Sequence, residues 1–81
     1  MELMQTPVDV GVVFQRAAAR PLWFVWGRRR YEVREVAHAW RQECRGVRAH
    51  HYAVSDGAKM YELSLDAQTL RWSLGRVWCR S

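Results

Sequence analysis

Residues 51–74 read His51-Tyr52-Ala53-Val54-Ser55-Asp56-Gly57-Ala58-Lys59-Met60-Tyr61-Glu62-Leu63-Ser64-Leu65-Asp66-Ala67-Gln68-Thr69-Leu70-Arg71-Trp72-Ser73-Leu74. Tyr61, Leu63 and Leu65 fall on alternate positions, the period of a half-buried strand and not of a helix. Asp56-Gly57 between two such runs signals a hairpin, and Asp66-Ala67-Gln68-Thr69 supplies a second turn before residues 70–74 return. Three antiparallel strands joined by short turns are a meander.

Working outward, Leu22, Phe24 and Trp26 alternate with Trp23 and Val25, so this run is apolar on both faces. Gly27-Arg28-Arg29 interrupts it and Tyr31-Glu32-Val33-Arg34 resumes the alternation, which predicts a tight hairpin with glycine in its turn. Residues 8–14 form a further strand despite Gly11. Val33 and Val36 stand three apart, as do Leu74 and Val77, so each strand needs a bulge to keep both residues on the buried face. Gly75 suits the second bulge. The first break has a rival reading, because Val33, Val36, Ala37, Trp40 and Cys44 also fit helical spacing. A bent strand through about Ala39 is the preferred reading, with residues 41–49 as a loop. The expected fold is all-β: a five- or six-stranded antiparallel meander curled into a small barrel or rolled sheet. Phe24, Tyr31, Val33, Tyr61, Leu63, Trp72 and Leu74 are its expected core.

The chain of 81 residues suits one domain, ordered over about 8–80, without repeats, low-complexity tracts or a linker. Its five tryptophans, three tyrosines and two phenylalanines supply a workable core for so small a domain. The start, Met1-Glu2-Leu3-Met4-Gln5-Thr6-Pro7, lacks the basic and apolar regions of a signal peptide. The longest apolar runs are too short to cross a bilayer. The expectation is a cytoplasmic protein in which Cys44 and Cys79 are reduced thiols.

One pattern resembles a known family. Arg20-Pro21-x-x-Phe24-x-Trp26, then Arg29-Arg30-Tyr31-x-Val33-x-Glu35-Val36 and Trp40, is similar to a family of short uncharacterised bacterial proteins. Tyr52-x-Val54, Tyr61-Glu62-Leu63 and Arg71-Trp72-x-Leu74-x-x-Val77-Trp78 extend the likeness over roughly residues 8–78. The family is a domain of unknown function, and a similar segment ends some proteins related to Y-family DNA polymerases. The resemblance implies a nucleic-acid context without implying an activity. Gly27 here precedes three arginines, where the family has glycine between two basic residues.

Catalysis finds little footing, and the expectation is that the protein is not an enzyme. There is no nucleophile elbow, P-loop or dinucleotide fingerprint. Cys44 with His38, His50 or His51 contains the elements of a thiol nucleophile and its base, but an ordered triad is not indicated. His50, His51, Cys44 and Cys79 are ligand types that zinc accepts. Adjacent histidines on a strand point to opposite faces, however, and no closely spaced ligand pair anchors a site. Neither a metal nor another cofactor is expected.

The formal charge is +5, and twelve of the thirteen basic residues are arginine. That balance permits nucleic acid, an anionic membrane or an acidic protein as partner. No amphipathic helix or lipidation motif favours the membrane. On a meander, Arg28, Arg29 and Arg30 gather at one end with the Asp56-Gly57 turn, Lys59, Arg76 and Arg80. Arg20, Arg41, Arg45, Arg48 and Arg71 fall near the other. Glu32 and Glu62 are expected to pair across strands beside Arg34. The bland reading is a solvated arginine-rich surface. The functional reading is nucleic-acid binding by Arg28, Arg29, Arg30 and Arg34, with an exposed Trp23 or Trp78 stacking on bases. Trp23 and Val25 equally suit an interface with a protein partner or a homodimer.

Overall fold

The computed structural model describes residues 6–16 and 18–79, so Met1–Gln5 and Arg80, named above, lie outside the described residues. The strands are β1 (Thr6–Pro7), β2 (Asp9–Gln15), β3 (Ala18–Trp26), β4 (Arg29–Glu32), β5 (Glu35–Cys44), β6 (Val47–Ser55), β7 (Lys59–Asp66) and β8 (Trp72–Cys79). No helix occurs among the described residues. One sheet has the order β1-β8-β7-β6-β5 and the other β2-β3-β4, with every pairing antiparallel.

Two corners carry the chain between the sheets. At the first, Val8 separates β1 from β2, and its N–H donates to the Trp72 carbonyl at 3.3 Å. At the second, the Val33 N–H donates to Leu22 of one sheet and the Arg34 N–H to Ser55 of the other, at 2.9 and 2.8 Å. The fold is therefore a rolled meander in two sheets that do not close into a barrel. Val33 and Val36 both pack on the core because this corner lies between them.

Three bulges adjust the phase. Gly11 pairs with Trp23 and Val12 with Pro21, leaving Leu22 as the extra residue. Ala37 is the extra residue between Val36 and His38. Gly75 is the extra residue opposite the Glu62–Leu63 step, as the three-residue spacing of Leu74 and Val77 required.

The loop expected over residues 41–49 is corrected by the structure. Residues 41–44 continue β5, residues 47–49 begin β6, and Arg45-Gly46 forms a two-residue turn with φ of 52° and 79°. Positive φ at both central residues is a type I′ turn, whose twist matches that of the flanking strands. Apolar alternation could not reveal this hairpin because every residue from 41 to 48 is exposed.

Phe24, Val54, Leu63 and Leu74 are wholly buried between the sheets, and Val8, Tyr52 and Tyr61 complete the buried cluster. Tyr31, Val33 and Trp72 pack against it while remaining partly exposed, so all seven expected core residues contribute. Phe24 is the hub: its ring stacks on Tyr31 at 5.0 Å and meets Tyr61 edge-on at 5.0 Å. Such geometries add modestly to the burial itself.

Candidate nucleic-acid interface

The β3–β4 hairpin turns through Gly27-Arg28, with Trp26 opposite Arg29 and Gly27 at φ 67°. Strand alternation then divides the three arginines. Arg30 pairs with Val25 and shares the outer face of the small sheet with Trp23, whereas Arg29 lies on the inner side, its guanidinium 5.3 Å from the Tyr31 ring. Arg28 occupies the turn, exposed and without a hydrogen bond or ion pair among the described residues.

Trp23 is held from two sides. Its indole lies over Gly11, where a Cβ would overlap the ring, and the Arg30 guanidinium sits 4.6 Å from its centroid on the outer face. Arg30 also donates through Nε to Glu32 at 3.0 Å. Trp23 is consequently half-buried, not exposed as expected, and so is Trp78. A guanidinium stacked on an indole forms a flat, cationic surface to which a phosphate or a base can be added.

Arg34 is directed to the β6–β7 turn of the other sheet. At the second corner its aliphatic stem runs beside Gly57, with Cδ 3.1 Å from where a Cβ would stand. The expected cross-strand pairing is met by Glu62 and corrected for Glu32, which pairs within its own strand, and Arg34 joins neither. Glu32 takes Arg30, and Glu62 takes Arg76, whose Nη2 donates to Glu62 Oε1 at 2.7 Å. Arg76 further lies 5.9 Å from the Trp78 ring.

The Asp56 turn beside Arg34 is tightly ordered. Asp56 Oδ1 accepts from the backbone of Ala58 and Lys59 at 2.8 Å, and Oδ2 accepts from the Tyr61 hydroxyl at 2.8 Å. Partial burial pushes the Asp56 carboxyl up, but these hydrogen bonds outweigh it and hold the carboxyl below its ordinary value. Burial, followed by the bond to Asp56, raises Tyr61 far above an ordinary phenol.

The thiol and histidine candidates are dispersed. Cys44 lies at the Arg45-Gly46 turn and Cys79 opposite Lys59 at the other end of β7, and both are exposed and free. His51 stacks on Trp40, which stacks on His38, and His51 Nδ1 is 2.8 Å from Ser64 Oγ. His50 pairs with Arg41 and Leu65 on the opposite face. No group of three metal-ligating side chains occurs among the described residues, and no helix there is long and apolar enough to cross a membrane.

The Gly11–Trp23 contact was not anticipated, although a glycine inside an apolar strand is itself a sign of close approach. The His38–Trp40–His51 stack was hidden because its strand was expected to end near Ala39. Comparison with family models, curated proteins and solved structures finds no match.

Proposed function

We propose that this protein is a small non-catalytic module that binds nucleic acid through the β3–β4 hairpin. The observation that carries the reading is the arrangement of Arg28, Arg29 and Arg30 about one exposed turn, with Arg30 lying on Trp23. Arg28 and Arg29 reach phosphates, and Arg34 extends the basic surface toward the Gly57 turn. Trp23 and Arg30 together offer a stacking surface for an unpaired base. Phosphate contacts of this kind position a chain without selecting its sequence, so binding is weak and general.

The test is a salt titration of binding to generic single-stranded and double-stranded DNA and to RNA. Phosphate contact imposes a falling log affinity against log salt. Absence of binding at low salt sinks the reading. The alternative is a protein-interaction or self-associating domain, favoured by Trp23 and Val25 on the outer face of a short sheet. It predicts no salt-dependent nucleic-acid binding and a complex disrupted by Trp23→Ala.

A further inference from the structure

The end of the molecule opposite the Arg28 turn carries a different surface. β5 is the edge of the five-stranded sheet, ten residues long, and its residues beyond Trp40 are exposed on both faces. An edge strand presents a row of unpaired backbone donors and acceptors.

The turn determines which groups these are. In a two-residue hairpin the flanking residues, here Cys44 and Val47, exchange backbone hydrogen bonds, and the pattern then alternates along the ladder. Cys44, Gln42, Trp40 and His38 direct their N–H and C=O toward β6. Glu43, Arg41 and Ala39 direct theirs outward. An independent contact agrees: Arg48, opposite Glu43, turns its carbonyl away from β5 to accept from Ala67 at 3.0 Å.

We propose that this edge is a self-complementary docking surface for a second copy of the chain, paired antiparallel about a two-fold axis beside Gln42. In that register Arg41 lies opposite Glu43 of the second copy, and the symmetry repeats the pair. Both are outward-facing residues, so they exchange backbone hydrogen bonds, and their side chains share one face and carry opposite charge. Gln42 faces its own copy across a non-hydrogen-bonded position, and Trp40 faces Cys44. Other registers are poorer. Centring on Arg41 opposes that arginine to itself, and centring on Glu43 opposes two carboxylates. Centring on Trp40 leaves Arg41 facing Ala39 and places Glu43 against the Ala37 bulge. The competing contact, Arg48 Nε to Glu43 at 3.3 Å, joins two exposed side chains and holds weakly. This surface is separate from the β3–β4 hairpin and does not depend on the nucleic-acid reading.

The test uses the full chain, freed of nucleic acid, in sedimentation and light scattering across a concentration series. The expected result is a concentration-dependent dimer. Arg41→Glu and Glu43→Arg should each weaken it by about tenfold, and the double variant should restore it, because the reversed pair attracts again. Both positions are exposed, and unchanged melting verifies that the variants fold. In a Cys44→Ser, Cys79→Ser background, Gln42→Cys should form an intermolecular disulfide on mild oxidation, since facing non-hydrogen-bonded positions bring the Cα atoms within bridging distance. A monomer at every concentration overturns the proposal. So does a dimer indifferent to both charge reversals, or one that crosslinks through Trp40→Cys and not through Gln42→Cys.

Discussion

The Tyr61 hydroxyl donates to Asp56 Oδ2 at 2.8 Å, joining a ring of the core to the carboxylate that organises the β6–β7 turn. The same carboxylate binds the N–H groups of Ala58 and Lys59, so one side chain serves both core and turn. Asp56→Ala should cost about 1–3 kcal/mol, because the Tyr61 hydroxyl and the turn donors lose their acceptor. The pH dependence has a definite sign. Asp56 titrates below its ordinary 3.8, so its contribution is present above that value and is lost as pH falls through the lower folded one. Tyr61 titrates above its ordinary 10.0, so its contribution is present below that value and is lost as pH rises through the folded one. Denaturant unfolding across pH should show stability falling at both extremes, with a shallower acid loss in Asp56→Ala. An equal acid loss in that variant would reject the assignment.

Gly11 lies under Trp23 with no room for a methyl group. Gly11→Ala should destabilise by about 1–3 kcal/mol, the usual cost of forcing atoms into an occupied space. It should also displace the indole and change its fluorescence. Combining Gly11→Ala with Trp23→Ala removes the clash, so the double variant should lose less stability than the sum of the singles. Additive losses would mean that the two residues do not meet.

Cys44 and Cys79 are exposed at opposite ends of the five-stranded sheet. A bridge needs Cα atoms closer than about 7 Å, which those positions do not permit. Both thiols should react with a thiol reagent in the folded protein, without denaturant. In dilute, monomeric protein, protection of either would contradict its placement, and a stoichiometric zinc signal in protein purified without added metal would revive metal binding.

Where one face of a strand meets the core, residue order and fold agree closely. Tyr61, Leu63 and Leu74 alternate because one face of their strands meets the core, and Asp66 turns the chain by accepting from Gln68 and Thr69 at 2.8 and 3.1 Å. Gly75 announced its bulge by breaking the apolar period. The β5–β6 ribbon left no such trace, because exposed strands are under no pressure to alternate, and Arg45-Gly46 is a less conspicuous turn than Asp56-Gly57. The candidate site divides in the same way. Three arginines beside Gly27 announce a basic turn, and alternation separates Arg29 from Arg30. The bond from Arg30 to Glu32 and the cover that Arg30 gives Trp23 are tertiary outcomes of a twisted hairpin, and no spacing rule reports them.

Burial also separates two truncations that sequence alone treats alike. Phe24 is wholly buried at the centre of the aromatic cluster, whereas Trp72 keeps part of its surface in solvent beside Tyr52. Phe24→Ala should cost about 3–5 kcal/mol, enough to threaten a domain this small, and Trp72→Ala distinctly less. Melting of the two variants in parallel checks the order. A Phe24→Ala protein that melts within a degree or two of the parent would overturn the description of the core.

The arginine turn permits the sharpest separation, because its three cations differ in what already holds them. Arg28 has no ion pair among the described residues, Arg29 lies against Tyr31, and Arg30 lies on Trp23 while bonded to Glu32. If Arg28 contacts a phosphate, Arg28→Gln should lower the magnitude of the log-affinity against log-salt slope by about 0.7–0.9 and leave folding unchanged. Arg30→Gln should also reduce the slope, and in addition alter Trp23 fluorescence, since it removes the group stacked on the indole. Glu32→Gln should act in the opposite direction and strengthen binding at low salt, because it removes the anion that competes with phosphate for Arg30. Replacing Arg28, Arg29 and Arg30 together with glutamine should flatten the slope and weaken every tested sequence by a similar factor. An unchanged slope in that triple variant, with binding intact, would move the nucleic-acid site to the other basic end of the molecule, around Arg41, Arg45 and Arg48.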